Sequence, residues 1–213
     1  MASEADTAFP QVPTDYEPPR RVSEAEYLRI AEQFPKKYEY HDGLMYPRFY
    51  PPGSHWAMAG GTEAHDQIKI SVQLEIGRHL RGSGRCRAHT SDMMLRAGDH
   101  DFFPDAYVTC NDPFQASRTR IEDATFICEV RSQSTAEFDR NDKFEAYKLL
   151  PSLREYLILD NRRPQATLHR KIDGAWLQIT YTGTAEIALE SIDLRLPLDS
   201  IYGGMPLDPD PTK

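Results

Sequence analysis

FICEVRSQST, residues 126–135, interrupts a run of strand-forming apolar residues with one carboxylate, Glu129, followed two residues later by Arg131 and then by a hydroxyl-rich exit. Side chains alternate along a strand, so Phe126, Cys128 and Val130 share one face while Ile127, Glu129 and Arg131 share the other. An unpartnered carboxylate buried near a strand end costs several kcal/mol or is neutralised by a pKa shift. The position therefore demands a partner.

The preceding strand candidate, FFPDAYVTC (102–110), supplies a second acid, Asp105, directly after Pro104. Two such acids on neighbouring strands repel each other unless positive charge lies between them. Mg²⁺ or Mn²⁺ suits that place, because hard divalent cations take carboxylate and carbonyl oxygens. The exit from the opening stretch, SQSTAEFDRNDKFEAYKLL (132–150), reads as a helix: Ser134 and Glu137 have capping-box spacing, and Pro151 ends it. Within it Lys143 is flanked at i+3, i+4 and i+7 by Ala146, Tyr147 and Leu150, a partly apolar face that turns the lysine inward. Two acids, a lysine and an arginine converging at strand ends suit metal-assisted phosphodiester hydrolysis.

The remaining chain builds a setting for these residues. SEAEYLRIAEQF (23–34) starts a short helix, with Ser23 three residues before Glu26. KYEYHDGLMYP (37–47) reads as a hairpin over Asp42-Gly43, and ATLHRKIDGAWLQITYT (166–182) as a second over Asp173-Gly174. Between residues 63 and 80, Ile68, Val72, Leu74, Ile76 and Leu80 keep roughly helical spacing. Strands are expected near 86–96, 103–110, 125–131 and 154–160, and over EIALESIDLRL (186–196). Interleaved strands and helices with hairpins at both flanks predict an α/β domain with a mixed sheet. The expected organisation is a disordered, proline-rich arm over 1–20, one domain over 21–205 and a tail over 206–213.

Bulk composition narrows the function classes. The 213 residues carry 33 acidic and 25 basic side chains, a formal charge of −8, which argues against a general nucleic-acid coat. Arg78, Arg81, Arg85, Arg87 and Arg96 crowd one stretch and predict a local positive face able to track a DNA backbone. Cys86, Cys110 and Cys128 have no CxxC spacing, so buried thiols, no disulfide framework and a reducing, cytoplasmic setting are expected. No window approaches the roughly 18 apolar residues of a membrane span.

Five segments, YEYHDGLMYP (38–47), FPD (103–105), CEVRSQST (128–135), DRNDKFEAY (139–147) and LREYLILD (153–160), together resemble the Uma-two family. That family lies within the PD-(D/E)XK restriction-endonuclease-like superfamily. The resemblance covers about residues 23–200 and implies a restriction-endonuclease-like mixed sheet flanked by helices, with added hairpins. It further implies a Mg²⁺- or Mn²⁺-dependent endodeoxyribonuclease acting on DNA, and a homodimer. Carried across by position, Asp105 and Glu129 become the metal-binding acids, and the main-chain carbonyl of Val130 completes the inner shell. Lys143 takes the role of the superfamily's lysine, while Glu39 and His65 match positions near the site. Where the superfamily has that lysine, two residues after the glutamate, this chain has Arg131. Arginine stays protonated and clamps phosphate but does not act as a base.

Plainer readings compete with each of these roles. Glu129 pairs with Arg131 at a sheet edge, Lys143 pairs with Asp139 across one helix turn, Glu39 is a cross-strand charge partner, and His65 caps or is solvated. On these readings the chain is a nuclease fold without catalysis that binds nucleic acid or a protein partner.

Overall fold

The computed structural model describes residues 19–33, 37–47, 62–82, 84–111, 113–131 and 143–207. The expected arm and tail therefore fall almost wholly outside the described residues. So do Ser132, Ser134, Glu137 and Asp139, and most of the loop between the first hairpin and the long helix. Arg20, the last residue assigned to the arm, already belongs to a short strand, β1 (Arg20–Arg21).

Strand β9 (Phe126–Arg131) runs through the middle of a six-stranded mixed sheet. It is parallel to β10 (Glu155–Asp160) and antiparallel to β7 (Ala106–Thr109). The order is completed by β4 (Arg87–Thr90) beside β7, and by β11 (Gln165–Ile172) and β12 (Ala175–Thr182) beyond β10. A parallel neighbour requires a crossover, and the β9–β10 connection contains the short helix α3 (Phe144–Tyr147), with Lys148 and Leu149 in a turn ahead of Pro151.

The first hairpin does more than decorate this sheet. β2 (Tyr38–His41) and β3 (Leu44–Pro47) form a second six-stranded sheet with β1, β5 (Met94–Ala97), β6 (His100–Phe102) and β8 (Arg120–Ile121), in the order β1-β3-β2-β6-β5-β8. The expected strand near 86–96 is thus two strands in different sheets, β4 and β5. The stretch entering 103–110 likewise changes sheets: β6 ends at Phe102, and β7 begins at Ala106. Pro104 has no N–H to give a ladder, so pairing stops there. Asp105 sits where the chain passes from one sheet to the other.

Both faces of β9 contribute to a core, with Glu129 and Arg131 only partly buried. Phe126, Cys128 and Val130 pack with Ile68, Val72, Ile76 and Leu80 of α2 (Glu63–Leu80). The same core includes the hairpin β13 (Glu186–Leu189)–β14 (Leu194–Pro197) and α4 (Leu198–Tyr202). Ile127, on the opposite face, packs with Leu95, Phe102, Tyr147, Tyr156 and Ile158. A third cluster joins Tyr27 and Ile30 of α1 (Glu24–Gln33) to Tyr38, Tyr40 and Met45. The amide of Glu26 donates to Ser23 Oγ at 3.2 Å, the cap expected for α1.

Several expectations are corrected. Leu74 is 66% exposed: it lies about 200° around the helix from Val72 and so faces away from the 68-72-76-80 stripe. EIALESIDLRL is a hairpin rather than one strand, reversing at a 3-10 turn (Glu190–Ile192) and at Asp193, whose φ is +53°. Asp42-Gly43 and Asp173-Gly174 do turn hairpins, with φ of +49° and +76°, and of +48° and +84°, the left-handed pair a two-residue I′ turn requires. Arg96 does not join a positive face. It is drawn inward against Glu24 at 2.6 Å, Asp101 at 3.2 Å and Asp99 at 3.3 Å.

The expectation of no disulfide also fails. Cys86 and Cys110 are bonded, because the β4–β7 register pairs Arg87 with Thr109 and brings the residues just beyond them face to face. Residues 24 positions apart gave no sign of that pairing in their spacing. The bond removes the cysteine argument for a reducing compartment. Cys128 remains a buried thiol. Among the described residues no helix is long and apolar enough to cross a membrane.

Candidate active site

Asp105 and Glu129 meet where the β7–β9 ladder ends. Ala106 pairs with Cys128, so the next position brings Asp105 beside Glu129. The carboxylates continue the ladder in place of carbonyls: Asp105 Oδ2 accepts the Val130 amide at 2.9 Å, and Glu129 Oε2 accepts the Asp105 amide at 3.3 Å. Each acid is thereby fixed by the other's strand. Charge-assisted bonds of this kind are stronger than neutral ones. From the α2 side, Gln73 Nε2 donates to the Asp105 carbonyl at 2.7 Å.

Glu39 arrives from the other sheet. It is buried on β2, and its Oε1 accepts the Phe103 amide at 3.1 Å, which ties the hairpin to the segment carrying Asp105. Lys143, only 7% exposed, enters from the start of α3. Its Nζ lies 3.2 Å from Glu39 Oε2 and 3.8 Å from Glu129 Oε1, and 5.5 Å over the centre of the Phe102 ring. One helix turn later, the Tyr147 hydroxyl donates to Glu129 Oε1 at 2.8 Å. Burial first, then the Glu129 charge, pushes the Tyr147 pKa well up, so this group stays a proton donor. The Cys128 thiol is likewise kept neutral, by burial and then by Asp105 and Glu129.

His65 sits in the first turn of α2, whose Thr62 Oγ1 accepts the His65 amide at 3.2 Å. Its Nε2 lies 3.7 Å from Asp105 Oδ2, and its buried Nδ1 has no hydrogen-bond partner among the described residues. The helix cap is thus Thr62, and the imidazole is turned to the acid.

Arg131 closes β9 in register with Asp160 of β10. After burial, its charge is the largest cause lowering the His169 pKa, so the guanidinium is felt on the β11 side of the sheet. Asp105, Glu129, Lys143, Glu39 and His65 are brought together by strand ends and helix starts from both sheets. Tyr147 and Gln73 belong to the same constellation and were not singled out as site residues from the sequence. Tyr147 was legible as the residue four after Lys143, on the same helix face. Gln73, eight residues after His65, stands near that histidine's face of α2 but carries no motif.

The groups that meet here are two carboxylates, of Asp105 and Glu129, with the His65 imidazole at the margin, 3.7 Å from Asp105. Hard divalent cations fit such donors, and Mn²⁺ tolerates an added imidazole better than Mg²⁺ does.

A protein 32% identical over 188 residues, covering 87% of this chain and 93% of its own length, is the uncharacterized slr1290 of Synechocystis sp. (strain ATCC 27184 / PCC 6803 / Kazusa). Another from the same organism, the uncharacterized sll1609, is 29% identical over 172 residues, covering 78% of this chain and 91% of its own length. Among solved structures, a protein of Anabaena variabilis ATCC 29413, described as a "putative nuclease belonging to DUF820", superposes with a TM-score of 0.67. It covers 85% of this chain and 97% of its own, at 14% identity, which is a likeness of fold. The Uma2 family model, described as "Putative restriction endonuclease", matches residues 24–199, and the chain belongs to that family.

Proposed function

We propose that this protein is a divalent-metal-dependent DNA endonuclease. The observation that carries the reading is the meeting of Asp105 and Glu129 at adjoining strand ends, with Lys143 Nζ 3.8 Å from Glu129. Asp105, Glu129 and the Val130 carbonyl would hold Mg²⁺ or Mn²⁺, which supplies Lewis-acid polarisation of the phosphoryl oxygen. Glu39 orients Lys143, whose ammonium positions the attacking water and donates to the charge that develops on the phosphate. Tyr147 and the Asp105 amide hold the Glu129 carboxylate in one rotamer, so little reorganisation accompanies reaction. Arg131 clamps the scissile or an adjacent phosphate. A homodimer presenting two such sites is the assembly we favour for cutting both strands of a duplex.

One observation favours a second reading, a nuclease fold without catalysis. Both acids already accept main-chain amides, and Lys143 is closer to Glu39 than to Glu129, a network able to hold the strand ends together by itself. Thermal unfolding with and without Mn²⁺, on wild type, Asp105→Asn and Glu129→Gln, separates the two. A ligand selective for the native state raises Tm. The proposal expects a Mn²⁺-dependent rise in wild type only, together with Mn²⁺-dependent cleavage of single-stranded, duplex or branched DNA. Wild type that neither gains Tm nor cuts any of these substrates refutes it.

A further inference from the structure

The hairpin that delivers Glu39 carries a second group of donors. His41 follows Glu39 on β2, Asp42 opens the turn, and His100 opens β6, which is paired to β2 through Tyr40 and Asp101. One donor atom from each of His41, Asp42 and His100 lies within 4.8 Å of the other two. His41 Nε2 is 3.4 Å from Asp42 Oδ2, and His100 Nδ1 is 3.9 Å from Asp42 Oδ1. The imidazoles pack against each other with centroids 4.5 Å apart.

We propose that His41, Asp42 and His100 form a binding site for a borderline divalent metal of the Zn²⁺ type, separate from the carboxylate cluster at Asp105 and Glu129. Two imidazoles and one carboxylate select Zn²⁺ or Co²⁺ over Mg²⁺. Zn–N and Zn–O bonds of about 2.0–2.1 Å put tetrahedral ligands about 3.3–3.4 Å apart. The His41 Nε2–Asp42 Oδ2 distance already has that length, His100 Nδ1 lies 3.9 Å from the other carboxylate oxygen, and donors within 4.8 Å of one another close to that spacing by side-chain shifts on the order of an ångström. Asp42, whose side chain is 73% exposed, has room to make that adjustment and leaves a fourth position open to water. A His–Asp ion pair accounts for one imidazole. It leaves unexplained why the His100 Nδ1, buried and without a hydrogen-bond partner among the described residues, stands toward the same carboxylate.

The site has a structural consequence. β2 and β6 are joined by the single register pair Tyr40–Asp101, yet they carry Glu39 and lead to Phe103 and Asp105. A metal bridging His41 to His100 clips these strands together. Phe102 stands between the two clusters, its ring 5.8 Å from His41 and 5.5 Å from Lys143 Nζ.

The test uses the full chain, stripped with chelator, and titrates Zn²⁺ against a chromophoric competitor, with Co²⁺ visible absorption as a second readout. Asp42→Asn is the cleanest variant, because asparagine tolerates the left-handed backbone that Asp42 adopts, φ +49°. Wild type and Glu129→Gln are expected to bind one Zn²⁺ equally at this site. Asp42→Asn should weaken it more than about tenfold, and His100→Gln should abolish the tetrahedral Co²⁺ spectrum. If His100→Gln does not fold, Asp42→Asn alone decides. Zn²⁺ affinity unchanged by Asp42→Asn, lost in Glu129→Gln, or absent from wild type overturns the proposal. None of these outcomes depends on DNA cleavage.

Discussion

Replacing Lys143 with methionine removes one ammonium while keeping the length of the side chain. Glu39 then loses the cation 3.2 Å from Oε2 and keeps the Phe103 amide at 3.1 Å. Glu129 loses a longer contact of 3.8 Å and retains both the Tyr147 hydroxyl and the Asp105 amide. The cost therefore falls mainly on Glu39, which is only 4% exposed and so has little water to turn to. Stripping one partner from a buried ion pair costs about 3–5 kcal/mol, and the surviving amide bond places this case near the lower end, about 3 kcal/mol. Urea unfolding at neutral pH, without metal, measures it. Glu39→Gln in the Lys143→Met background should recover most of the loss, since neutral partners leave no uncompensated charge, and the double-mutant cycle isolates the pair. A Lys143→Met loss below about 1 kcal/mol, or a double mutant no more stable than Lys143→Met alone, would show that Lys143 is not the counter-ion of Glu39 and refute the reasoning.

Two further outcomes follow from residues outside the cluster. Burial, then Arg87 and Arg118, lowers the His89 pKa to about 4 from its ordinary 6.5; the unfolded chain therefore binds the extra proton between those values. Its contribution is complete above pH 6.5 and is lost as pH falls through about 4, on the order of 1–2 kcal/mol after discounting for its partial exposure. Wild type should lose stability relative to His89→Gln as pH falls from 6.5 to about 4, whatever the offset between them at pH 7, and parallel pH profiles would contradict this. Reducing Cys86–Cys110, or the pair Cys86→Ser with Cys110→Ser, opens a crosslink between residues 24 apart and should lower stability by about 3 kcal/mol on loop-closure grounds. Equal unfolding curves with and without reductant would show that the crosslink does not contribute.

Local rules made much of the fold legible. Alternation put Glu129 on the face opposite Cys128, and the structure gives those two faces different cores. Left-handed Asp-Gly turns fixed both long hairpins, and Ser23 capped α1 through the Glu26 amide. Lys143, read as leaning inward from its apolar flanks, is buried. These signals survive because they are properties of neighbours in the chain: alternation, helix phase, caps and turns.

What stayed hidden depends on contacts between distant segments. Nothing near Pro104 announces a second sheet, but a proline that ends one ladder there passes the chain to another and sets Asp105 at the junction. Cys86 meets Cys110 only through the β4–β7 register, and Arg96 is consumed by Glu24, Asp99 and Asp101 instead of facing solvent. The sequence by itself singled out Asp105, Glu129, Lys143, Glu39 and His65 as candidates, and it placed Glu129 on one face of its strand and Lys143 with the apolar face of the helix that follows. Only the tertiary structure decided that Glu39, from a different sheet, shares Lys143 with Glu129, because that meeting is set by packing two sheets across Phe102 and Ile127, and no local pattern encodes it.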